Sequence, residues 1–332
     1  MSEAVEMVEI WRGGMAESRH RGHAVICDVQ GQVVQAWGDP DMLILPRSSC
    51  KMIQALPLIE SGAADAAGLG VEELALSCAS HQGAPLHVDR VTRWLDGIGM
   101  AEADLRCGAQ PTRDPAERDR MIRAGELANQ VHNNCSGKHA GFLTLGQRLG
   151  AGPEYVDPAH PVQQAVRAAF EDVTGMDSPR FGIDGCSAPN FATSVHGLAR
   201  AMAFFAAARP DAGDARARAA GRLVQAMMAH PDLVAGEGRA CTELMRAMGG
   251  KAAVKTGAEA VFVAILPELG LGVALKIEDG TTRAAEAAIT GILSQLGVLD
   301  PNHPAARKRL GAPITNWRGI ETGEIRLAEG FA

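Results

Sequence analysis

The 332-residue sequence is poor in lysine and in aromatic residues. Six lysines stand against 26 arginines, and the single tyrosine is Tyr155. Arginine therefore supplies most of the positive charge, and each lysine calls for an explanation from its own chemistry. A desolvated lysine can lose its proton, whereas an arginine cannot. The scarcity of aromatic side chains indicates a core built from alanine, leucine, valine and methionine.

Other absences narrow the class of protein. The net charge of −7 argues against a basic surface that would bind nucleic acid or an anionic membrane. No apolar run approaches the length of a membrane span. The acidic start of the chain lacks the basic region of a secretory signal. Seven cysteines, an odd number without framework spacing, indicate free thiols in a reducing compartment. We therefore expect a cytoplasmic protein with no nucleic-acid partner and no membrane association.

The pattern of elements predicts an α+β fold with strands at both ends of the chain and a mainly helical middle. We expect an antiparallel sheet made from both ends and covered by helices. The chain should form a single catalytic unit, 1–332, with a sheet portion at about 5–45 and 250–300 and a helical portion at about 48–249. Strands are predicted at Val5–Trp11, His23–Asp28, Gln32–Trp37, Val254–Thr256, Ala260–Leu266 and Leu271–Ile277.

Helices are predicted between these strands and after them. One should begin near Ser48 and run towards Gly62, kinked or shortened by Pro57. The others are predicted at Val71–Ala79, Leu86–Ile98, Ala140–Leu149, Pro161–Gly175, His196–Ala208, Arg216–Ala229, Ala240–Met248 and Thr281–Leu296.

A serine and a lysine lie one helical turn apart in Ser48-Ser-Cys-Lys51. A serine hydroxyl needs a base to become a nucleophile, and a desolvated lysine can serve as that base. Lys255-Thr-Gly257 follows late in the chain, and this order is typical of serine β-lactamases and penicillin-binding proteins, although no Ser-Asp-Asn triplet is present. The alternative is that Ser48 or Ser49 caps a helix and that Lys51 is solvated.

Two further segments carry polar groups that chemistry can use. Ser80 and His81 lie in a run of small residues that ends at Gly83, for which a capped helix end is the likelier local interpretation. Cys135 and Cys186 lie in two polar loops. With His139 as a nitrogen donor they would give three ligands for zinc and leave a fourth position open, but the local sequence favours core packing for both thiols over metal binding.

Five segments together resemble the rhizobial-type L-asparaginases, in the right order and over nearly the whole chain. They are Arg47-Ser-Ser-Cys-Lys51, Ser77-Cys-Ala-Ser-His-Gln-Gly83, Asn133-Asn-Cys-Ser-Gly-Lys-His139, Asp184-Gly-Cys-Ser-Ala-Pro189 and Lys255-Thr-Gly-Ala-Glu259. The resemblance implies a fold similar to serine β-lactamases and glutaminases, a homodimer, and hydrolysis of L-asparagine to L-aspartate and ammonia.

The resemblance also implies roles for individual residues. Ser48 with Lys51, and Ser80 with Lys255, match two catalytic Ser–Lys pairs. The Zn²⁺ ligands it implies are Cys135, Lys138 and Cys186, so lysine replaces His139 as the nitrogen donor.

We expect Ser48 to attack the side-chain amide and form an acyl-enzyme. Backbone N–H groups of Ser48 and of a residue just after Gly257 should hold the oxyanion. The remaining residues predicted to bind substrate are Arg47, His81, His139, Asp184 and Gly257.

Two other functions remain open at this stage. A glutaminase, or a broader amidase acting on β-lactams or D-peptides, would use the same Ser-x-x-Lys chemistry. A protein of another class, a non-catalytic regulator based on zinc or thiols, would be expected to show a basic patch or paired Cys-x-x-Cys motifs, and the sequence has neither.

Overall fold

The computed structural model describes residues 3–332. Its strands are β1 (Val5–Arg12), β2 (Met15–Asp28), β3 (Val33–Trp37), β4 (Leu43–Ile44), β5 (Phe181–Ile183), β6 (Pro189–Phe191), β7 (Thr193–Ser194), β8 (Ala253–Thr256), β9 (Val261–Leu266), β10 (Leu271–Ile277), β11 (Pro313–Thr315) and β12 (Glu321–Leu327).

The α-helices are α1 (Lys51–Gln54), α2 (Leu56–Glu60), α3 (Ala63–Ala66), α4 (Val71–Ser77), α5 (Pro85–Gly97), α6 (Pro115–Ala124), α7 (Ser136–Arg148), α8 (Pro161–Thr174), α9 (Val195–Ala207), α10 (Ala215–Ala229), α11 (Pro231–Val234), α12 (Ala240–Ala247), α13 (Thr282–Gln295) and α14 (Pro304–Arg307). Short 3-10 turns occur at Arg47–Cys50, Glu102–Asp104 and Gln130–His132.

The chain divides into two compact units. The first, here called the sheet unit, contains the described residues through Ser49 together with Thr193–Ala207 and Glu243–Ala332. The second, the helical unit, contains Cys50–Ala192 and Ala208–Thr242. Whether the two act as one catalytic unit, as the sequence predicts, stays a prediction.

The sheet unit is built on one antiparallel sheet in the order β11-β12-β1-β2-β10-β9-β8, with β3 paired to β2. The 14-residue strand β2 joins its two halves, because it pairs with β1 through Met15–Gly22 and with β10 through Gly22–Asp28. All six residues of β9 are buried, as expected of a strand covered on both faces. Helices α9 and α13 pack on the sheet.

One glycine lets a helix approach this sheet closely. A Cβ atom at Gly272 on β10 would lie 2.0 Å from the backbone nitrogen of Ala203 on α9. Only a residue without a side chain fits there, so the backbone of the helix lies directly against the strand.

The helical unit is centred on α7, whose residues from Ser136 to Gly146 are all buried. Helices α2, α3, α4, α5 and α8 pack around it. Gly137 lies against the end of α4, where an added Cβ would come within 2.4 Å of the Leu76 carbonyl oxygen. This close approach brings the first turn of α7, which carries Lys138 and His139, beside the segment that follows α4.

The predicted α+β class is confirmed, with an antiparallel sheet from both chain ends and a mainly helical middle. The β2–β3 hairpin turns at Gly31, which has a φ of 77° and donates its N–H to the Asp28 carbonyl. The sheet extends beyond the predicted 250–300 portion, since β11 and β12 add residues up to Leu327. Helix α9, from the middle of the chain, belongs to the sheet unit.

The helix predicted from Ser48 towards Gly62 is interrupted near Pro57, as expected, but it begins at Lys51 and not near Ser48. The chain instead forms a 3-10 turn, then α1, then α2, with the break at Ala55 and Pro57 inside the first turn of α2. Proline has no N–H to give to a helix interior but fits a first turn, so the helix restarts just before it. The sequence interpretation also missed α6 and the first half of β2.

Candidate active site

Ser48 lies in the 3-10 turn Arg47–Cys50 of the sheet unit and is partly exposed. The neighbouring Ser49 is buried, and its hydroxyl donates to the Pro46 carbonyl at 2.7 Å. The residue that caps α1 is Cys50, which makes no side-chain capping bond. The interpretation of Ser48 or Ser49 as the cap of a continuing helix is therefore wrong.

Gly257 lies against this same turn. A Cβ atom added to it would be 2.6 Å from the Pro46 carbonyl oxygen and 3.1 Å from the Ser49 nitrogen. The Lys-Thr-Gly segment, at the end of β8, is thus in van der Waals contact with the backbone that carries Ser48. The two most separated motifs of the sequence meet within the sheet unit.

The other two residues predicted for this part of the site have protein partners. Arg47 forms an ion pair with Glu259, with 3.7 Å between Nη1 and Oε1. Lys255 is fully buried and donates from Nζ to the Thr256 carbonyl at 2.7 Å. Their roles in substrate binding and catalysis stay predictions.

Backbone strain marks the same segments. Apart from the C-terminal residue, the non-glycine residues with positive φ in the described chain are Arg47, Ser187, Glu259 and Ala260. They adjoin Ser48, Cys186 and the Lys-Thr-Gly motif. Left-handed conformations are unfavourable for residues with a side chain and tend to persist at functional sites, where the surrounding structure holds them.

In the helical unit, Lys51 lies at the start of α1 and is almost completely buried. Its Nζ donates to the Ser80 hydroxyl at 3.0 Å and to the Cys135 thiol at 3.1 Å, and it also contacts the carbonyl oxygens of Ala79 and Asn134. Lys51 therefore contacts the second predicted serine directly. The alternative in which Lys51 is a solvated surface residue is wrong.

Burial separates the six lysines into two groups. Lys51, Lys138 and Lys255 are 1%, 3% and 0% exposed, respectively. The other three lysines are exposed or partly exposed. The lysines inside the sequence motifs are thus the buried ones, which is the environment in which lysine chemistry differs from that of arginine.

Cys135, Lys138 and Cys186 form one buried cluster. Lys138 donates from Nζ to Cys186 Sγ at 3.1 Å. A hydrogen bond from Cys135 and the charge of Lys138 hold the pKa of the Cys186 thiol well below its ordinary value, although burial opposes this. The same shared hydrogen bond, together with burial, raises the pKa of Cys135. The surroundings therefore favour ionisation of Cys186 over ionisation of Cys135.

Asp184 and Cys186 lie in the loop between β5 and β6. The loop is closed by the Asp184 N–H, which donates to the Ala188 carbonyl, and Ser187 within it has a φ of 68°. Burial works against the charge of Lys138, but Cys186, Cys135 and Asp184 together raise its pKa. The carboxylate of Asp184 thus contributes to the field at the cluster, and its predicted role in substrate binding stays a prediction.

His81 is fully buried, and both of its ring nitrogens have protein partners. Nδ1 accepts the Gly83 N–H at 3.1 Å, so the ring proton is on Nε2, which donates to the Ser136 hydroxyl at 2.9 Å. Burial lowers the pKa of His81 well below its usual value. These contacts tie the segment after α4 to α7, and His81 has no free ring nitrogen for a substrate.

His139 has one engaged nitrogen and one without an ordinary partner. Nδ1 lies 2.9 Å from the Tyr155 hydroxyl oxygen. Nε2 is buried and makes no hydrogen bond of ordinary geometry within residues 3–332. Burial lowers the pKa of His139 to about 4, so the ring is neutral at neutral pH.

The donor set of the buried cluster fits the implied zinc ion. Two thiol groups and an amine are the soft and nitrogen donors that Zn²⁺ accepts, and the unpartnered His139 Nε2 lies beside them. The part of the chain that the structure describes has no group of three or more His, Cys, Asp or Glu side chains able to hold a metal. The predicted set is of a different kind, because its third donor is a lysine.

Some site residues were not predicted from the sequence. Asn134 offers its carbonyl to Lys51 and its side-chain oxygen to the Cys135 thiol. Asn133 accepts the Cys135 N–H and donates to the Cys107 carbonyl, which fixes this loop. The available signal was the consecutive asparagines before a helix, since asparagine commonly bonds nearby backbone groups at such positions. All seven cysteines are free and buried, as predicted.

Comparison with known proteins adds a family to this geometry. The family model described as L-asparaginase II matches residues 8–327. The chain belongs to the L-asparaginase II family. No curated protein matches it. Membership favours an L-asparaginase-like amidohydrolase over the non-catalytic regulator.

The solved structures similar to this chain are distant. Mglu in its tris and glutamate form is 13% identical, with a TM-score of 0.48, and the match covers 90% of this chain and 63% of the Mglu chain. A β-lactamase from Mycobacterium bovis is 11% identical, with a TM-score of 0.37, and the match covers 82% of this chain and 94% of the other. Within residues 3–332 no helix is long and apolar enough to cross a membrane.

Proposed function

We propose that this amidohydrolase is an L-asparaginase of the rhizobial type, which hydrolyses L-asparagine to L-aspartate and ammonia. The observation that carries the proposal is the buried Lys51 bound to the Ser80 hydroxyl, in a chain whose family match covers residues 8–327. Buried amines beside serine hydroxyls are the arrangement that Ser–Lys amidases need.

The proposed reaction uses the Ser48-x-x-Lys51 motif. The Ser48 hydroxyl attacks the carbon of the side-chain amide, and its proton passes to a lysine amine. The C–N bond then breaks, ammonia leaves with that proton, and an ester joins Ser48 to the aspartyl group. Water attacks the ester and releases aspartate. The contact between Gly257 and the Pro46–Ser49 backbone supports an oxyanion site formed by N–H groups of these two segments.

The substrate's charged ends need partners of opposite charge. The Asp184 carboxylate suits the α-ammonium group, and the Arg47 guanidinium suits the α-carboxylate. Zn²⁺ held by Cys135, Lys138 and Cys186 would supply a fixed positive charge that organises the substrate. We also propose that the chain acts as a homodimer, as the resemblance implies, and that it works in the cytoplasm, as its odd number of cysteines indicates.

Ammonia release from asparagine and glutamine, measured side by side, tests the substrate. Faster turnover of asparagine supports the proposal, and faster turnover of glutamine or of a β-lactam would make the chain one of the alternative amidases. Ser48→Ala, Ser80→Ala and Lys51→Arg should each lower kcat by at least about 10²-fold. Ser77→Ala is the matched control, because this buried serine donates its hydroxyl proton to the nearby Leu74 carbonyl and otherwise contacts only the neighbouring Cys78 thiol.

Zinc is tested on the purified protein by metal analysis. One bound zinc per chain is expected, with loss of the metal in Cys186→Ala. Removal of zinc by a chelator should raise KM for asparagine. A protein without zinc, or an unchanged KM after chelation, would show that the metal assignment is wrong while leaving the Ser–Lys chemistry in place.

A further inference from the structure

The only tyrosine of the chain contacts the candidate site residue His139. Tyr155 is buried, its carbonyl accepts from the Gln163 side chain at 2.8 Å, and its ring packs edge-to-face on His139 with 5.4 Å between centroids. Its hydroxyl oxygen accepts the Arg106 N–H at 2.7 Å and lies 2.9 Å from His139 Nδ1. Nothing in the proposed reaction uses this residue.

These two hydrogen bonds decide which nitrogen of His139 carries the proton. If Nδ1 carried it, the tyrosine oxygen would accept twice and its own proton would need another acceptor. Within the described residues, the hydroxyl has no hydrogen-bonding neighbours other than Arg106 N and His139 Nδ1. A buried hydroxyl proton without an acceptor is unfavourable, so the hydroxyl donates to Nδ1. The ring proton of the neutral imidazole is therefore on Nε2.

The Nε2–H group is the donor that His139 offers to the buried cluster. Because Nδ1 is occupied by Tyr155, Nε2 is the only ring nitrogen left for another partner, and His139 adjoins Lys138 on α7. Nε2 is buried and has no acceptor with ordinary hydrogen-bond geometry among residues 3–332, so it is a buried donor at the site.

We propose that Tyr155 is a positioning residue that holds His139 in the Nε2–H tautomer and so presents a fixed hydrogen-bond donor to the cluster of Cys135, Lys138 and Cys186. Its consequence for zinc rests on the proposed function, because a donor of this kind orients and stabilises a thiolate ligand. The tautomer itself does not depend on metal or on activity.

The first test is nitrogen NMR of histidine rings in the metal-free protein, with His139→Gln used to assign the His139 signals. The expected spectrum has a protonated Nε2 and an unprotonated, hydrogen-bonded Nδ1. Tyr155→Phe keeps the ring and removes the hydroxyl, so the Nδ1 resonance should shift and the other tautomer should become populated. A protonated Nδ1 in the unaltered protein, or unchanged signals in Tyr155→Phe, would overturn the proposal.

The second test is a double-mutant cycle on zinc affinity. Tyr155→Phe should weaken zinc binding by about 10-fold or more. In the His139→Gln background, where the glutamine amide donates without help from Tyr155, the same change should alter affinity by less than about twofold. An equal loss of zinc affinity in both backgrounds would show that Tyr155 does not act through His139 and would overturn the proposal.

Thr144→Val is the matched control. Thr144 is buried on the same helix α7, and its hydroxyl likewise bonds a ring N–H, that of Trp94, and a backbone group, the Ala140 carbonyl. Thr144→Val should lower the free energy of unfolding without changing the His139 signals or the zinc affinity. A protein that neither binds zinc nor hydrolyses asparagine, yet shows the expected tautomer and its loss in Tyr155→Phe, would refute the proposed function and leave this inference standing.

Discussion

Gly257→Ala should lower activity by displacing the turn that carries Ser48. The added Cβ would lie 2.6 Å from the Pro46 carbonyl oxygen, about 0.8 Å closer than ordinary contact at 3.4 Å. The φ angle of Gly257 is not positive, so alanine changes the occupied space and adds no left-handed strain. The Pro46–Ser49 backbone must therefore move by several tenths of an ångström or more.

The magnitude follows from what such a displacement does to a nucleophile and to oxyanion donors. A misplacement near 1 Å lowers a rate by about 10²-fold, so we expect kcat for asparagine to fall by about that factor. Overpacking of this kind should also lower the free energy of unfolding by about 1–3 kcal/mol. Steady-state ammonia release and urea unfolding measure the two effects separately.

Gly323→Ala provides the control for a general loss of stability. Gly323 lies on β12, also without positive φ, and its added Cβ would lie 2.3 Å from the Trp11 carbonyl oxygen. It should destabilise the sheet unit while leaving kcat of the folded protein unchanged. If Gly257→Ala folds and retains kcat within about threefold of the unaltered protein, the turn does not position the nucleophile as argued here.

Two further predictions concern stability. Ser187→Gly should raise the free energy of unfolding by about 0.5–1 kcal/mol, because it relieves a left-handed residue at φ 68° although it adds freedom to the unfolded chain. The control Ser61→Gly, at φ −72°, should lower the free energy of unfolding. A lower free energy of unfolding for Ser187→Gly in urea titrations would contradict the strain argument. Glu243 should contribute stability above its unfolded pKa of about 4.3 and lose it as pH falls through its lower folded pKa. Burial opposes that lowering of the pKa, but hydrogen bonds from Lys308 and Arg309 outweigh it. Glu243→Gln should therefore make the loss of unfolding free energy in acid less steep, and an unchanged pH profile would count against this ion pair.

The fold class was readable from the sequence because the sheet and most helices carry strong local periodicity. Strand β10 and helix α10 were predicted within one residue of their bounds. The C-terminal strands β11 and β12 were missed, since neither contains a fully buried residue and each depends on pairing with another strand, β12 with β1 and β11 with β12. The early helix was predicted to be kinked or shortened by Pro57, but local pattern did not show that the break lies at Ala55 or that Arg47–Cys50 forms a 3-10 turn.

The candidate residues came from local motifs, whereas their partners came from contacts over long sequence separations. Local patterns cannot show that Lys51 lies 3.0 Å from the Ser80 hydroxyl, or that Gly257 touches the turn of Ser48. They also gave no reason to place Tyr155 beside His139, because sixteen residues and a helix end separate the two along the chain.

By itself, the sequence determined the chemical groups at this site and the family to which the chain belongs. Its scarce lysines identified the amines, and its five segments identified the serines and thiols. Only the tertiary structure decided how these groups are used, since burial and direct contact set the protonation of a side chain. The Cys135 thiol and the charge of Lys138 lower the pKa of Cys186, and His139 presents Nε2–H because a buried tyrosine occupies its other nitrogen.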